Sequence, residues 1–208
     1  MHHDITQMDN GQDPALGKWL SLYAIFGTLA LMAAILVADA IVPDHDWIAD
    51  TISDLGAGKY EFIVDTGLYA YSASFIALSL LAAHCHMGGA KWSLGLVGLA
   101  LLGMIVFLVG ARNEYGDGDN EGVVIHIYLV YALGALLTLV PWLMSEGVAK
   151  VSGKAAKGMI AFSIVWTLSA PIFFFLPDSV DGIYERYLGL LAGAFTIGFA
   201  WFFKTASD

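Results

Sequence analysis

Six long apolar segments alternate with short polar connections along the chain. They lie near residues 17–42, 61–83, 92–111, 123–145, 156–177 and 183–203. Each is close to the length of about 20 residues that an α-helix needs to cross the hydrocarbon core of a bilayer. The pattern predicts an all-α, polytopic membrane protein whose six transmembrane helices form one bundle over residues 17–204. A polar N-terminal segment (1–16) and a short tail (205–208) would flank this domain.

The connection between the first two segments carries a helical pattern of its own. In a helical arrangement its apolar residues fall on one face and its polar residues on the other. The apolar face holds Trp47, Ile48, Thr51, Ile52 and Leu55, and the polar face holds Asp46, Asp50, Ser53 and Asp54. This pattern predicts a short interfacial helix at the membrane surface. Ser53 and Asp54 would lie side by side and face a polar site under the ends of the spanning helices.

Other polar residues occur near the ends of the apolar segments. Those predicted on the same side as the interfacial helix are Asp39, Asp65, Arg112, His126, Glu185 and Arg186. An ionised side chain inside the hydrocarbon costs about 3 kcal/mol on insertion scales unless it is paired or faces a polar cavity. We therefore expect Asp39 to pair with a base, Arg186 in the first place. Together with Ser53 and Asp54, these residues are the candidates for an outward-facing polar pocket.

Composition and charge restrict the class of protein. Hydrophobic residues make up 58% of the chain, charged residues 13%, and the mean hydropathy is +0.71, which excludes an ordinary soluble domain. The net charge of −10 argues against a nucleic-acid partner. Basic residues divide unequally between the two sides: six Lys on one, and Lys59, Arg112 and Arg186 on the other. The positive-inside rule then places both termini in the cytoplasm, and we expect the bacterial cytoplasmic (inner) membrane.

Metal binding has little support in the sequence. Three acids alternate in the loop 112–122, but their spacing departs from that of a calcium-binding loop, so calcium there stays open. Zinc sites use several His or Cys ligands, whereas only His45 and His126 fall on the outer side. We therefore expect no metal site and leave the question of a cofactor open.

Several of these features together resemble a known family. They are Thr51-Ile52-Ser53-Asp54-Leu55-Gly56 after a first span, an aromatic second span that contains glycine, His126 at the start of the fourth span and Glu185-Arg186 opening the sixth. In these the chain resembles the bacterial and archaeal membrane family catalogued as domain of unknown function 998. More distantly, the motif is similar to the Ser-Asp-x-Gly signature of the Frag1/DRAM/Sfk1 six-helix proteins, some of which are linked to lipid handling. The resemblance implies six helices and a membrane location, and it implies no reaction.

Two functional hypotheses follow. In the first, the polar pocket binds a lipid headgroup, or the protein is an accessory subunit that packs against other subunits of a membrane complex. Membrane lipids, or such subunits, would then be the partners. In the second, the protein is a membrane-embedded metal-dependent hydrolase that acts on a lipid at the outer face. Asp54, Asp65 and His126 would surround a metal-bound water in that case, with Ser53 nearby.

Overall fold

The computed structural model describes residues 13–111 and 125–207. Over these residues the chain forms helices without strands: α1 Pro14–Ile41, α2 Ile52–Leu55, α3 Glu61–Cys85, α4 Ala90–Ala111, α5 His126–Ala149, α6 Gly153–Ser169, a 3₁₀ helix Ala170–Phe175, and α7 Asp181–Ser207. Six of the described helical segments are long and apolar enough to cross a membrane. The predicted six-helix membrane bundle with a short helix between its first two spans is therefore confirmed.

Local sequence signals account for several helix ends. Asp13 caps α1 by accepting a hydrogen bond from the Ala15 N–H at 2.9 Å, and a proline occupies the first turn. Ser152 caps α6 in the same way, with the Ala155 N–H as donor. Pro171 lies just after the last α-helical residue of α6, where the chain continues as a 3₁₀ helix. The positions at which the helices begin and end determine which residues lie at each end of the bundle.

The helix between α1 and α3 is shorter than its pattern predicts. Only the four residues Ile52–Leu55 are helical, and Thr51 is their N-cap. Leu55 is buried at 1% exposure, but Trp47 and Ile48 remain 53% and 40% exposed, so the apolar residues do not share one buried face. Turns before Thr51 interrupt the helix, so residues 46–50 do not continue the helical spacing of Ile52–Leu55. The directions of their side chains therefore could not be predicted from helical spacing.

Each spanning helix packs mainly on its neighbours in the chain. α1 packs on α3, α3 on α4, α4 on α5 and α5 on α6, while α7 returns to pack on α1 and makes few contacts with α6. Glycine allows the close approach of α1 and α3, because a Cβ at Gly27 would overlap the carbonyl oxygen of Ala70. Between α7 and α1, the end of the Met32 side chain lies against Gly193. This order leaves α7 lightly packed on the side that faces α6.

Candidate functional site

Three polar side chains from three elements meet at the end of the bundle that holds α2, called the α2 end below. Ser53 lies in α2, His126 is the first residue of α5, and Glu185 lies near the start of α7. Ser53 Oγ is 3.3 Å from His126 Nε2 and donates to Glu185 Oε1 at 3.3 Å. We call these three residues the Ser–His–Glu cluster. The Glu185 carboxylate accepts from the serine, and the serine hydroxyl oxygen contacts the histidine.

Glu185 is held in place where α7 docks on the connection between α1 and α2. The Ile52 N–H donates a hydrogen bond to Glu185 Oε2. Gly182 makes this docking possible, because a Cβ at that position would overlap the carbonyl oxygen of Asp50. The backbone of α7 thus approaches closely enough for a side chain near its start to reach the N-terminus of α2.

Arg186 points away from the cluster and uses all five N–H groups of its guanidinium. Nε and Nη2 donate to the two carboxylate oxygens of Asp39 at 3.4 and 2.5 Å. Nη1 donates to the carbonyl oxygens of Asp50 and Gly182 at 2.8 and 3.0 Å, and Nη2 also donates to His45 Nε2 at 3.0 Å. The Arg186 and Asp39 side chains are only 12% and 19% exposed. The predicted Asp39–Arg186 pair is confirmed.

His45 is a member of this second group that the sequence prediction did not assign to it. Its side chain is 4% exposed; Nε2 lies 3.0 Å from Arg186 Nη2 and 3.2 Å from Asp39 Oδ1, and Nδ1 faces Asp50 Oδ2 at 3.5 Å. The two groups together tie the end of α1, the connection and the start of α7. In the sequence, only the position of His45 between Asp39 and Asp50 pointed to this role. A histidine in a solvent-exposed loop could have the same acidic neighbours.

A cavity of about 1360 Å³ lies in the bundle below the Ser–His–Glu cluster. All long helices and the 3₁₀ helix contribute to its walls, which are mostly aliphatic and aromatic; among them are Met32, Val106, Leu133, Phe174 and Leu188. The cluster lines its polar end, together with Asp39 and Arg186. Pockets for drug-sized ligands measure about 300–1,000 Å³. The cavity is thus larger than such a pocket and is polar at one end.

Two predicted site residues, Asp54 and Asp65, belong neither to the Ser–His–Glu cluster nor to the group around Arg186. Asp54 forms a capping box with Thr51, accepting from its N–H and hydroxyl group at 2.7 Å each, so it stabilises α2 locally. Asp65 is not among the residues that line the cavity, and its Oδ1 is buried without a hydrogen-bond partner among the described residues. Arg112 and the loop 112–122 lie outside the described residues. The prediction that Ser53 and Asp54 both face the polar cluster therefore holds for Ser53 alone.

A metal site would need several ligands on one side of the ion. Across the two described ranges, no group of three or more His, Cys, Asp or Glu side chains is placed to hold a metal ion. In particular, Asp54 and Asp65 are not arranged around His126 as the metal-dependent hydrolase requires. The chemistry that this geometry offers is hydrogen bonding by a hydroxyl, an imidazole and a carboxylate at the end of an apolar space.

The comparisons with known proteins bear on the family of the chain. No curated protein matches the sequence, and no solved structure does so either. A family profile described as "Protein of unknown function (DUF998)" matches residues 25–202, which include α2, the Ser–His–Glu cluster and the Asp39–Arg186 pair. This match does not show the expected similarity to the Frag1/DRAM/Sfk1 proteins. Because the match extends over most of the chain, the protein belongs to the membrane-protein family of unknown function DUF998.

Proposed function

We propose that this protein binds a membrane lipid, with the apolar part of the lipid in the cavity and its polar end at the Ser–His–Glu cluster. The observation that carries the proposal is the combination of a large apolar cavity with polar side chains gathered at one end. A lipid has the same division, an apolar body that ends in a hydrogen-bonding group. An accessory subunit without a ligand would not require such a cavity.

The size of the cavity supports an apolar occupant. Its volume of about 1360 Å³ exceeds that of a pocket for a drug-sized ligand, so it has room for a molecule of lipid size. Water is a poor filler, since a bound water needs two to four polar partners and most of these walls are apolar. In a bilayer, the molecules at hand to fill such a space are lipids.

A side chain that fills the cavity tests this proposal. Gly134 of α5 lines the cavity, and a Cβ built there meets nothing within 4 Å, so Gly134→Phe adds a ring to the cavity without a clash at the Cβ. Gly158 of α6 is equally open but does not line the cavity, which makes Gly158→Phe the matched control. Both changes replace a helical glycine by the same residue, so differences in helix propensity cancel.

The measurement is the lipid that stays with the protein through purification in detergent, quantified as fatty-acid methyl esters per chain. We expect Gly134→Phe to retain several-fold less lipid than the wild type, and Gly158→Phe to match the wild type. Melting temperatures of both variants establish that they are folded. Equal lipid retention by the two variants would contradict lipid binding in this cavity.

The contact between Ser53 Oγ and His126 Nε2 favours a second candidate function, hydrolysis of a lipid ester. The Ser53 hydroxyl would first turn its proton from Glu185 Oε1 to His126 Nε2. Oγ would then attack the ester carbonyl while the proton passes to His126, and the departing alcohol would take that proton as the acyl group transfers to the serine. Water would then release the fatty acid and restore the hydroxyl. An alkyl fluorophosphonate tests this: we expect an adduct on Ser53 in the wild type and none in His126→Ala. An unlabelled wild type would remove this candidate and leave lipid binding in place.

A further inference from the structure

We infer that the cavity selects lipids whose polar end is an uncharged hydroxyl group, such as a diacylglycerol, over lipids that carry a phosphate. This inference rests on the proposed lipid binding and names the class of ligand. It follows from the charges around the polar end of the cavity and from the hydrogen bonds that those charged groups already make.

Arg186 is the only Lys or Arg in the described lining of the cavity, and its N–H groups are already bonded. The charged residues of this lining are Asp39, Glu185 and Arg186. All N–H groups of the Arg186 guanidinium donate hydrogen bonds to Asp39, His45 and two backbone carbonyl oxygens. A phosphate is normally held by a guanidinium with free N–H groups, often in bidentate fashion. To bind one here, Arg186 would have to give up a largely buried ion pair.

Glu185 adds a repulsive element against anions. Its carboxylate is partly buried, lines the cavity and lies beside Ser53, where the polar end of a ligand would arrive. A phosphate brought next to it would place two acceptor groups, both able to carry negative charge, in a poorly solvated space where their repulsion is stronger than in water. Specificity against a competitor often depends on such a repulsive element.

A hydroxyl group suits the same side chains. An ionised carboxylate offers about four acceptor positions, of which the N–H groups of Ile52 and Ser53 and the Ser53 hydroxyl occupy three in the described contacts. A ligand hydroxyl can donate a hydrogen bond to a free acceptor position of the Glu185 carboxylate, and its oxygen can accept one from a donor group beside it. It therefore adds hydrogen bonds without bringing a charge out of water. A long-chain amine would also be attracted to Glu185. Its ammonium group would lose its water shell, however, and a single carboxylate does not offset that desolvation cost.

The test compares two lipids with the same acyl chains. Purified protein in detergent is given tritiated 1,2-dioleoylglycerol, and unlabelled 1,2-dioleoylglycerol, 1,2-dioleoylphosphatidate or oleylamine competes. We expect phosphatidate to compete at least about ten-fold less well than diacylglycerol, and the amine to compete less well than diacylglycerol. Phosphatidate or the amine competing as well as diacylglycerol would overturn the inference, while the lipid-binding proposal would stand. Failure of every lipid to bind would refute both.

Two variants connect the selectivity to the cluster. Glu185→Gln removes the charge but keeps an acceptor, so we expect the preference over phosphatidate to fall to about three-fold or less. Glu146→Gln is the matched control, because Glu146 is an exposed acid paired with Lys91 away from the cavity. Ser53→Ala should weaken diacylglycerol binding several-fold, and it is a second probe if Glu185→Gln proves unstable. Unchanged selectivity in Glu185→Gln together with unchanged affinity in Ser53→Ala would overturn the inference.

Discussion

Replacing Arg186 by Ala should destabilise the protein strongly, because the guanidinium joins α7 to α1 and to the connection before α2. The change would remove the guanidinium from the Asp39 carboxylate, which would keep His45 Nε2 at 3.2 Å, and it would remove the donors to two backbone carbonyl oxygens. Removing one partner of a buried ion pair costs about 3–5 kcal/mol. Since Arg186 and Asp39 keep 12% and 19% exposure, we expect the lower end, about 3 kcal/mol.

A loss of this size is easily measured. For chains of about 150–250 residues, each kcal/mol lowers the melting temperature by about 2–4 °C, so Arg186→Ala should lower it by about 6–12 °C. The assay is thermal unfolding in detergent followed by intrinsic fluorescence. Lys91→Ala is the control: Lys91 and Glu146 also form an ion pair at 2.8 Å, but they are 58% and 67% exposed, and solvent screening leaves such pairs little effect on stability.

A double-mutant cycle separates the pair from its surroundings. Asp39→Asn removes the charge that Arg186 neutralises, so Arg186→Ala should cost less in that background than in the wild type. A coupling free energy of about 1–3 kcal/mol is expected for residues in direct contact. Equal melting temperatures for Arg186→Ala and Lys91→Ala, or strictly additive effects in the cycle, would refute the reasoning.

Two further predictions concern α2 and the topology. Asp54→Asn should cost little stability, because an amide oxygen can still accept from Thr51. Asp54→Ala should lower the melting temperature, because it removes the N3 half of the capping box; equal melting temperatures for the two variants would contradict this role. Alkaline phosphatase and green fluorescent protein fusions after Ser152 and Asp119 should report the cytoplasm and the exterior respectively, as the Lys distribution predicts, and the opposite pattern would reverse the orientation.

The sequence by itself determined the helical spans and the side on which the polar residues gather. In lipid, an apolar segment of this length must satisfy its backbone hydrogen bonds internally, so hydropathy alone predicts helices. Because consecutive spans alternate in direction, the end of α1, the start of α5 and the start of α7 must lie at the same end of the bundle. The cost of an unpaired charge near the hydrocarbon then predicted the pair of Asp39 with Arg186.

Only the tertiary structure decided which of two neighbouring residues faces the Ser–His–Glu cluster. Ser53 turns towards His126 and Glu185, while Asp54, the next residue, turns back to Thr51. That division depends on where α2 begins and on how α7 docks, both of which involve residues far apart in sequence. The role of His45 arises from the same docking. The cavity likewise follows from the order in which helices pack, because α7 packs on α1 and makes few contacts with α6. Hydropathy along the chain does not predict which helices pack against each other.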